Sequence, residues 1–180
     1  MVSRLSPEKN IKYALDLVKD LEKISLVVIG SGPREALLKQ YVKEKNIDNV
    51  LFLGYKDNVY DFYNIFDAFL LTSKMEGTPI SILEAMSCGL PIYSTDVGEI
   101  RDNFAHLEGF SLLTGDTEAD RDIISAQADL PNYIQCLRDH VVSNHNIKII
   151  SNKFFDNIVS NFQTFKESDE EAVTLFGEYI

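Results

Sequence analysis

The sequence predicts an α/β domain in which a parallel sheet carries helices on both faces. Short apolar segments such as LVVI and FLLT alternate along the chain with segments whose apolar residues recur at helical spacing. This alternation is typical of a parallel sheet, because a crossover helix returns the chain between parallel strands. The chain of 180 residues suffices for one such domain with a helical C-terminal extension.

The first predicted elements are a strand and a helix. MVSRL predicts the end of a strand, and SPEKNIKYALDLVKDLEK predicts a helix with Ser6 as its cap and Pro7 at its first position. SLVVIG then predicts a strand and PREALLKQYVKEK a helix. The other predicted elements are strands at 50–53, 68–72, 91–96 and 109–116, a short aromatic helix before 68, a small insertion or irregular helix after 117, a helix near 130–142 and two helical segments after 146.

The charge balance disfavours one class of ligand. With 28 acidic and 17 basic residues the formal net charge is −11, whereas nucleic-acid binding needs a basic face. A phosphate ligand would therefore depend on single Arg and Lys side chains. No apolar run reaches about eighteen residues, so we expect no transmembrane segment. The two cysteines lack a metal or redox spacing, which favours a cytoplasmic protein.

The segment EGTPISILEAMSCG, at 76–89, places two carboxylates around the start of a predicted helix. Thr78 is the predicted N-cap, Pro79 takes the first helical position and Gly89 ends the helix. Glu76 then lies in the preceding loop. Glu84 lies in the second helical turn, about 7 to 8 Å along the axis.

This arrangement suits a ligand that has a negative centre and hydroxyl groups. The free N–H groups at 78–81 form an anion site at the positive end of the helix dipole. Ionised carboxylates accept hydrogen bonds from vicinal hydroxyls, and a sugar nucleotide supplies both features. The residues leave an alternative open, in which Glu84 caps a local group or forms a local salt bridge and Glu76 is a solvated loop residue.

The string SKMEGTPISILEAMSCGLPIYSTDVGEI, with its E-x7-E spacing, resembles the donor-binding half of the retaining GT-B glycosyltransferases of the family 4 type. The resemblance implies a Rossmann-like domain that forms one half of a GT-B fold. It implies that Glu84 holds the nucleotide ribose and that Glu76 contacts the transferred sugar. It also implies that the backbone around the helix start binds phosphate or sugar, at Gly77, Thr78, Pro79 and Ile80.

The N-terminal segment SRLSPEKN carries two candidate phosphate ligands, Arg4 and Lys9. Their spacing alone favours two solvated surface cations. The segment resembles the family's GRL…EKG segment, whose Arg and Lys bind the donor pyrophosphate, with Ser3 and Asn10 in place of two glycines. The resemblance implies that both cations stabilise the leaving diphosphate, with no metal or cofactor needed.

Two turns after predicted strands complete the candidate site. The turn that begins at Gly30 has Glu35 at the third glycine position of G-x-G-x-x-G, which disfavours a dinucleotide site. The resemblance implies that Gly30 lies near the nucleotide, and that Tyr55 and Lys56 meet its base. A third turn departs from the family pattern, because Glu99 replaces the second glycine of a VGG sequence. If the donor sugar needs a close backbone approach there, Glu99 would alter it.

The resemblance covers residues 2–116 well, and the remaining helices at 117–180 loosely. It implies that the full enzyme transfers a sugar from a nucleoside diphosphate sugar to an acceptor with retention, in surface polysaccharide or glycolipid synthesis. Because the acceptor site of this fold lies on a separate N-terminal domain, we expect that domain to be missing and the isolated chain to be inactive. We expect the full-length protein to be cytoplasmic, with peripheral attachment at the inner face of the membrane. Three alternatives stay open: a non-catalytic GT-B-like module or partner subunit, another GT-B enzyme such as a nucleotide-sugar epimerase, and a receiver-like signalling domain.

Overall fold

A computed structural model of the chain describes residues 1–126 and 134–146. The chain divides into two compact units, Met1–Asp139 and His140–Ile180. The described strands are β1 (Leu26–Ile29), β2 (Val50–Gly54), β3 (Phe69–Leu71), β4 (Ile92–Thr95) and β5 (Phe110–Leu113). The described helices are α1 (Ile11–Val18), α2 (Glu35–Glu44), α3 (Tyr60–Tyr63), α4 (Ile80–Ser87), α5 (Ile100–Phe104), α6 (Thr117–Ala126) and α7 (Ile134–Asn144).

All strand pairs in the described residues are parallel, as the alternation of strands and helices predicts. The strands form two sheets, β1 with β2 and β3-β4-β5 with β4 in the centre. The predicted N-terminal strand is reduced to one parallel bridge, between Val2 and Ile29. Since every strand points the same way within its sheet, the loops that follow the strands collect at the carboxyl edges.

The core forms where the apolar faces of the helices meet the strands. Helix α1 buries five apolar residues, Ile11, Ala14, Leu15, Leu17 and Val18. All three residues of β3 are buried, which is typical of a strand covered on both faces. Helix α4 packs against β3 and β4, while α1 packs against α2 and α6.

The predicted first helix is divided into two parts. Pro7–Lys9 forms a short 3₁₀ turn, and α1 begins only at Ile11. Asn10 separates them in a left-handed conformation, with φ of 48°, which Asn tolerates better than most residues. Ser6 does not cap the helix, because its hydroxyl donates to the Glu8 carboxylate instead.

The segment at 117–126 is more regular than the sequence predicts. It forms the α-helix α6 rather than an insertion or irregular helix. The Asp116 carboxylate explains this start, because its Oδ1 accepts the N–H groups of Glu118 and Ala119 at 3.0 and 2.9 Å. Helix α7 corresponds to the helix predicted near 130–142. The two helical segments predicted after 146 lie outside the described residues.

Among the helices that the structure describes, none is long and apolar enough to span a bilayer.

Candidate functional site

Lys9 and Glu76 form an ion pair between the 3₁₀ turn and the loop that joins β3 to α4. The Lys9 Nζ lies 2.6 Å from Glu76 Oε1, and the Ser73 hydroxyl donates to the same oxygen at 2.6 Å. Only 23% of the Lys9 side chain and 10% of the Glu76 side chain are exposed, so solvent screens the pair less than a surface pair. Both bonds end on Oε1, which leaves Oε2 able to accept from a ligand hydroxyl.

Backbone contacts hold this ion pair at the ends of two strands. Thr72, buried at the end of β3, donates its hydroxyl to the carbonyls of Lys9 and Asn10, at 3.2 Å each. One strand further, Thr95 donates its hydroxyl to the Ser73 carbonyl at 2.6 Å. The 3₁₀ turn and the end of β3 are therefore joined, and Lys9 and Glu76 are placed at the carboxyl edge of the β3-β4-β5 sheet.

A cleft of about 620 Å³ opens beside the ends of β1 and β2. Four of the residues predicted for the nucleotide line it, Arg4, Gly30, Tyr55 and Lys56, whereas Lys9 and Glu84 do not. Tyr55 is 69% exposed, so its ring is available for stacking, and the two cations suit an anionic ligand. The structure therefore brings together four of the residues that the sequence analysis singled out.

The glycines of the turn after β1 have a structural role that the sequence analysis did not assign. A Cβ on Gly30 would lie 1.9 Å from the Ser3 carbonyl oxygen, and one on Gly32 would lie 2.5 Å from the Leu5 carbonyl oxygen. Because glycine has no Cβ atom, the N-terminal segment can lie directly on the turn, where the Leu5 N–H donates to the Ser31 carbonyl at 2.9 Å. This close packing places Arg4, which lies between Ser3 and Leu5, in the cleft.

A second cavity, of about 570 Å³, lies at the opposite ends of the strands. It is lined by residues that precede or begin β1, β3 and β4, including Ile24, Leu26, Phe69 and Pro91. None of the predicted site residues lines it. It is therefore a useful reference site for locating a bound ligand.

The start of α4 differs from the prediction by one residue. Thr78 is not the N-cap, because Pro79 takes that position with an extended ψ of 113° and the helix begins at Ile80. Pro79 is buried and has no N–H group, so it cannot donate to a ligand. Thr78 and Ile80 do carry N–H groups and are exposed beside Gly77.

The predicted end of α4 is confirmed. Gly89 has a φ of 77°, and its N–H bonds the Met86 carbonyl at 2.9 Å. Leu90 N–H bonds the Ala85 carbonyl at 3.1 Å, which completes the pair of bonds expected when a helix ends at a left-handed glycine.

Glu84 lies in the second turn of α4, half-buried, as predicted. Its Oε2 accepts a hydrogen bond of 3.0 Å from the hydroxyl of Tyr63. Burial, together with the adjacent Glu84 charge, raises the pKa of Tyr63 far above its ordinary value. Within the described residues no cation pairs with Glu84, so the local partner is a neutral donor rather than the salt bridge of the alternative interpretation.

The turn that contains Glu99 makes a close backbone contact at Gly98. This residue has a φ of 58°, and a Cβ there would lie 2.3 Å from the Glu76 carbonyl oxygen. Glu99 is exposed and precedes α5, where it leaves this contact intact. The expectation that Glu99 alters a close approach of the donor sugar concerns the ligand, and it stays a prediction.

The family of the chain is now clear. Residues 1–129, well over half of the chain, match the family described as glycosyl transferases group 1. The chain belongs to this family. It is 36% identical to the N-acetyl-alpha-D-glucosaminyl L-malate synthase of Bacillus anthracis over 121 residues, which are 63% of this chain and 32% of that protein. It is 35% identical to the O-antigen biosynthesis glycosyltransferase WbnH of Escherichia coli over 120 residues, 66% of this chain and 33% of that protein. The group 1 chain thus spans about a third of the length of these relatives.

Solved structures share the Rossmann-like fold of this group 1 domain, one half of a GT-B fold. The lipopolysaccharide outer core galactosyltransferase WaaB superposes with a TM-score of 0.73 at 25% identity, over 89% of this chain and 48% of that one. TarM superposes with a TM-score of 0.77 at 21% identity, over 87% of this chain and 34% of that one. The family match favours the transferase interpretation over a nucleotide-sugar epimerase or a receiver-like domain.

Three residues of this group 1 domain have roles at the site that the sequence did not reveal. The Ser73 hydroxyl donates to the Glu76 carboxylate, Gly98 leaves room for the Glu76 carbonyl, and the Tyr63 hydroxyl donates to Glu84. Tyr63 lies in the aromatic helix predicted before 68 and is buried, but that prediction gives no sign of its hydrogen bond to Glu84. The available signal was the unpaired charge of Glu84 in an apolar segment, since such a charge requires a donor.

The two residues predicted to bind the diphosphate, Arg4 and Lys9, lie in different surroundings in this structure. Arg4 lines the cleft, whereas Lys9 is paired with Glu76 and is not among the cleft residues. In the described residues, no group of three or more His, Cys, Asp or Glu side chains could hold a metal ion.

Proposed function

We propose that this group 1 domain binds a nucleoside diphosphate sugar at the carboxyl ends of its strands. The observation that carries the proposal is the ion pair between Lys9 and Glu76 at the edge of one sheet, with the Arg4 cleft at the edge of the other. A diphosphate needs cations, and sugar hydroxyls need carboxylate acceptors. Both kinds of group follow the ends of strands in this fold.

The nucleotide half of the donor would occupy the cleft. Tyr55 and Lys56 would meet the base, and Gly30 would lie against the nucleotide. Arg4 would bind the diphosphate through its guanidinium fork. Glu84 would accept hydrogen bonds from the ribose hydroxyls.

The sugar half would lie beside α4. The Oε2 of Glu76 would accept a sugar hydroxyl, while Gly77 and the N–H groups of Thr78 and Ile80 would contact the sugar or phosphate. An ammonium has three donors, so Lys9 can keep its bond to Glu76 and still donate to the diphosphate. The two cations, Arg4 and Lys9, would then stabilise the leaving group without a metal ion.

In a protein that also has an N-terminal acceptor domain, the reaction would be a sugar transfer of the retaining, family 4 type. The relatives named for O-antigen and lipopolysaccharide synthesis support an acceptor in surface polysaccharide or glycolipid. We propose a cytoplasmic location, with peripheral attachment to the inner face of the membrane. By itself, the chain is expected to bind the donor and to transfer little or no sugar.

Calorimetric titration tests the proposal. The purified chain is titrated with UDP, GDP and ADP, with and without EDTA, beside Arg4→Ala and Glu84→Ala. We expect one nucleotide to bind in both conditions, and binding to weaken at least tenfold in both variants. Arg138→Ala, which removes an exposed arginine of α7, is the control and should bind as the wild type does. Absence of binding to all three nucleotides by the folded chain would contradict the proposal.

A further inference from the structure

The contact between Tyr63 and Glu84 has two features that go beyond packing. The phenol donates to one carboxylate oxygen, Oε2, at 3.0 Å. Glu84 is half-buried and has no cation partner within the described residues, so its second oxygen keeps its full capacity to accept. One oxygen of the Glu84 carboxylate, Oε2, is thus held by Tyr63, and the other can accept a hydrogen bond from a ligand.

The phenol of Tyr63 is itself fixed by the core. The side chain is fully buried, at 0% exposure. Its ring centroid lies 5.9 Å from that of Phe69 in β3, and the ring of Tyr60 meets it edge-on at 6.3 Å. Because a packed aromatic side chain has only two torsions, the position of its hydroxyl is well determined.

Helix α3 connects this hydroxyl to the cleft. Val59, which lines the cleft with Tyr55 and Lys56, directly precedes α3, and Tyr63 ends that helix. The base and the ribose of a nucleoside are covalently joined. The side of the cleft proposed to hold the base would therefore be linked, through one helical turn, to the Tyr63 hydroxyl. That hydroxyl orients the Glu84 carboxylate, which is proposed to bind the ribose.

We propose that Tyr63 is a positioning residue that holds the Glu84 carboxylate so that its free oxygen accepts a ribose hydroxyl, and that it thereby sets the preference for ribonucleotides. This inference rests on the proposed function, and it names the feature of the ligand that the site selects. Tyr63 does not contact the ligand. It acts by removing the rotational freedom of the carboxylate that does.

The test compares ribonucleotides with their deoxy forms. UDP, GDP and ADP and the 2′-deoxy and 3′-deoxy forms of each are titrated into the wild-type chain, Tyr63→Phe and Glu84→Gln. The matched control is Tyr41→Phe, because Tyr41 also donates to a carboxylate, that of Asp16 at 2.5 Å, but does not line the cleft. That hydrogen bond raises the pKa of Tyr41 to about 12, so its phenol, too, is a permanent donor. Thermal melting verifies that each variant is folded.

We expect the wild type to bind one ribonucleotide about tenfold or more tightly than at least one of its deoxy forms. Tyr63→Phe should reduce this affinity ratio to threefold or less. It should do so by weakening binding of the ribonucleotide, with the affinity for that deoxy form unchanged. Glu84→Gln should bring the ratio close to one, and Tyr41→Phe should leave it as in the wild type. A loss of stability alone would weaken all nucleotides equally.

Two results would overturn the inference, and they differ. If folded Tyr63→Phe keeps the wild-type ratio while Glu84→Gln loses it, Tyr63 has no positioning role and the proposed function stands. If the wild type binds no nucleotide, or does not distinguish ribose from either deoxyribose, the proposed role of Glu84 is wrong and the role of Tyr63 falls with it.

Discussion

Lys9 and Glu76 are 67 residues apart in sequence, and their side chains are joined at 2.6 Å. The pair connects the segment that carries the predicted phosphate ligands to the loop that carries the predicted sugar ligand. Ser73 binds the same carboxylate oxygen, so the pair is held from both the helical turn and the strand end. The pair therefore lies where the proposed positions of the diphosphate and the sugar adjoin.

Replacing Lys9 by Met should weaken binding of a nucleoside diphosphate about tenfold to a hundredfold. The reason is the loss of one charge-assisted hydrogen bond, which contributes about 1.5 to 3 kcal/mol. Calorimetry measures this change. Lys39→Met is the control, because Lys39 forms a Lys–Glu pair of the same 2.6 Å length on the exposed face of α2. Equal affinity of Lys9→Met and Lys39→Met would show that Lys9 does not contact the ligand.

Replacing Glu76 by Gln should weaken recognition of the sugar and leave recognition of the nucleoside diphosphate nearly unchanged. Gln keeps the shape of the side chain but replaces an acceptor oxygen with a donor group. We therefore expect the bare nucleoside diphosphate to bind within about threefold of wild type, a difference of about 0.6 kcal/mol or less. The additional affinity for a nucleoside diphosphate sugar should disappear. The measurement is the ratio of the two dissociation constants, and an unchanged ratio would be the contrary result.

Gly98→Ala should disrupt the site through the backbone. A left-handed conformation costs a non-glycine residue about 1 to 2 kcal/mol, and the new Cβ would also meet the Glu76 carbonyl. We expect a lower melting temperature and weaker sugar-nucleotide binding. Gly115→Ala is the control, because Gly115 has a φ of 88° but no atom within 4 Å of a Cβ. Gly115→Ala should lose stability only, and equal effects of the two substitutions would contradict the role of Gly98.

Asp120 should stabilise the fold in a way that depends on pH. Burial would raise the pKa of this carboxyl, but hydrogen bonds from Tyr13, Thr114 and Gly115 outweigh burial and lower it. A carboxyl whose pKa is lower in the folded state than in the unfolded state stabilises the fold at pH values above its unfolded pKa of about 3.9. This stabilisation is lost as the pH falls through the pKa of the folded state.

We therefore expect Asp120→Asn to lower the free energy of unfolding by about 1 to 3 kcal/mol at pH 7. The difference from wild type should shrink below about pH 4. Urea unfolding at several pH values measures it, with Asp122→Asn on the exposed face of the same helix as the control. A difference that stays constant with pH would show that Asp120 does not act through its charge.

Most of the fold is predictable from local patterns. The positions of β1 to β5 follow from short apolar segments, and the end of α4 follows from Gly89, because these features depend on nearby residues. The prediction of the first helix is wrong at its start, because Asn10 interrupts the helix with a left-handed conformation that the helical pattern does not reveal. The start of α4 is wrong by one residue, because Thr78 and Pro79 both suit a helix start and only the ψ of Pro79 distinguishes them.

The candidate site is predictable as a set of residues but not as a set of contacts. Motif positions identify Arg4 and Glu76, but they do not show that Lys9 is paired with Glu76 rather than placed in the Arg4 cleft. That pairing depends on Thr72, whose hydroxyl attaches the helical turn to a distant strand. Contacts between residues so far apart in sequence leave no periodic pattern along the chain.

The most direct test of the donor site is a map of backbone amide shifts in the nitrogen-15-labelled chain, titrated with the nucleoside diphosphate that binds most tightly. We expect the largest shifts at 3–9, 30–33, 54–59 and 76–84, around the cleft and the Lys9–Glu76 pair. Shifts concentrated instead at 23–27 and 65–70, around the cavity at the opposite ends of the strands, would show that the nucleotide binds elsewhere.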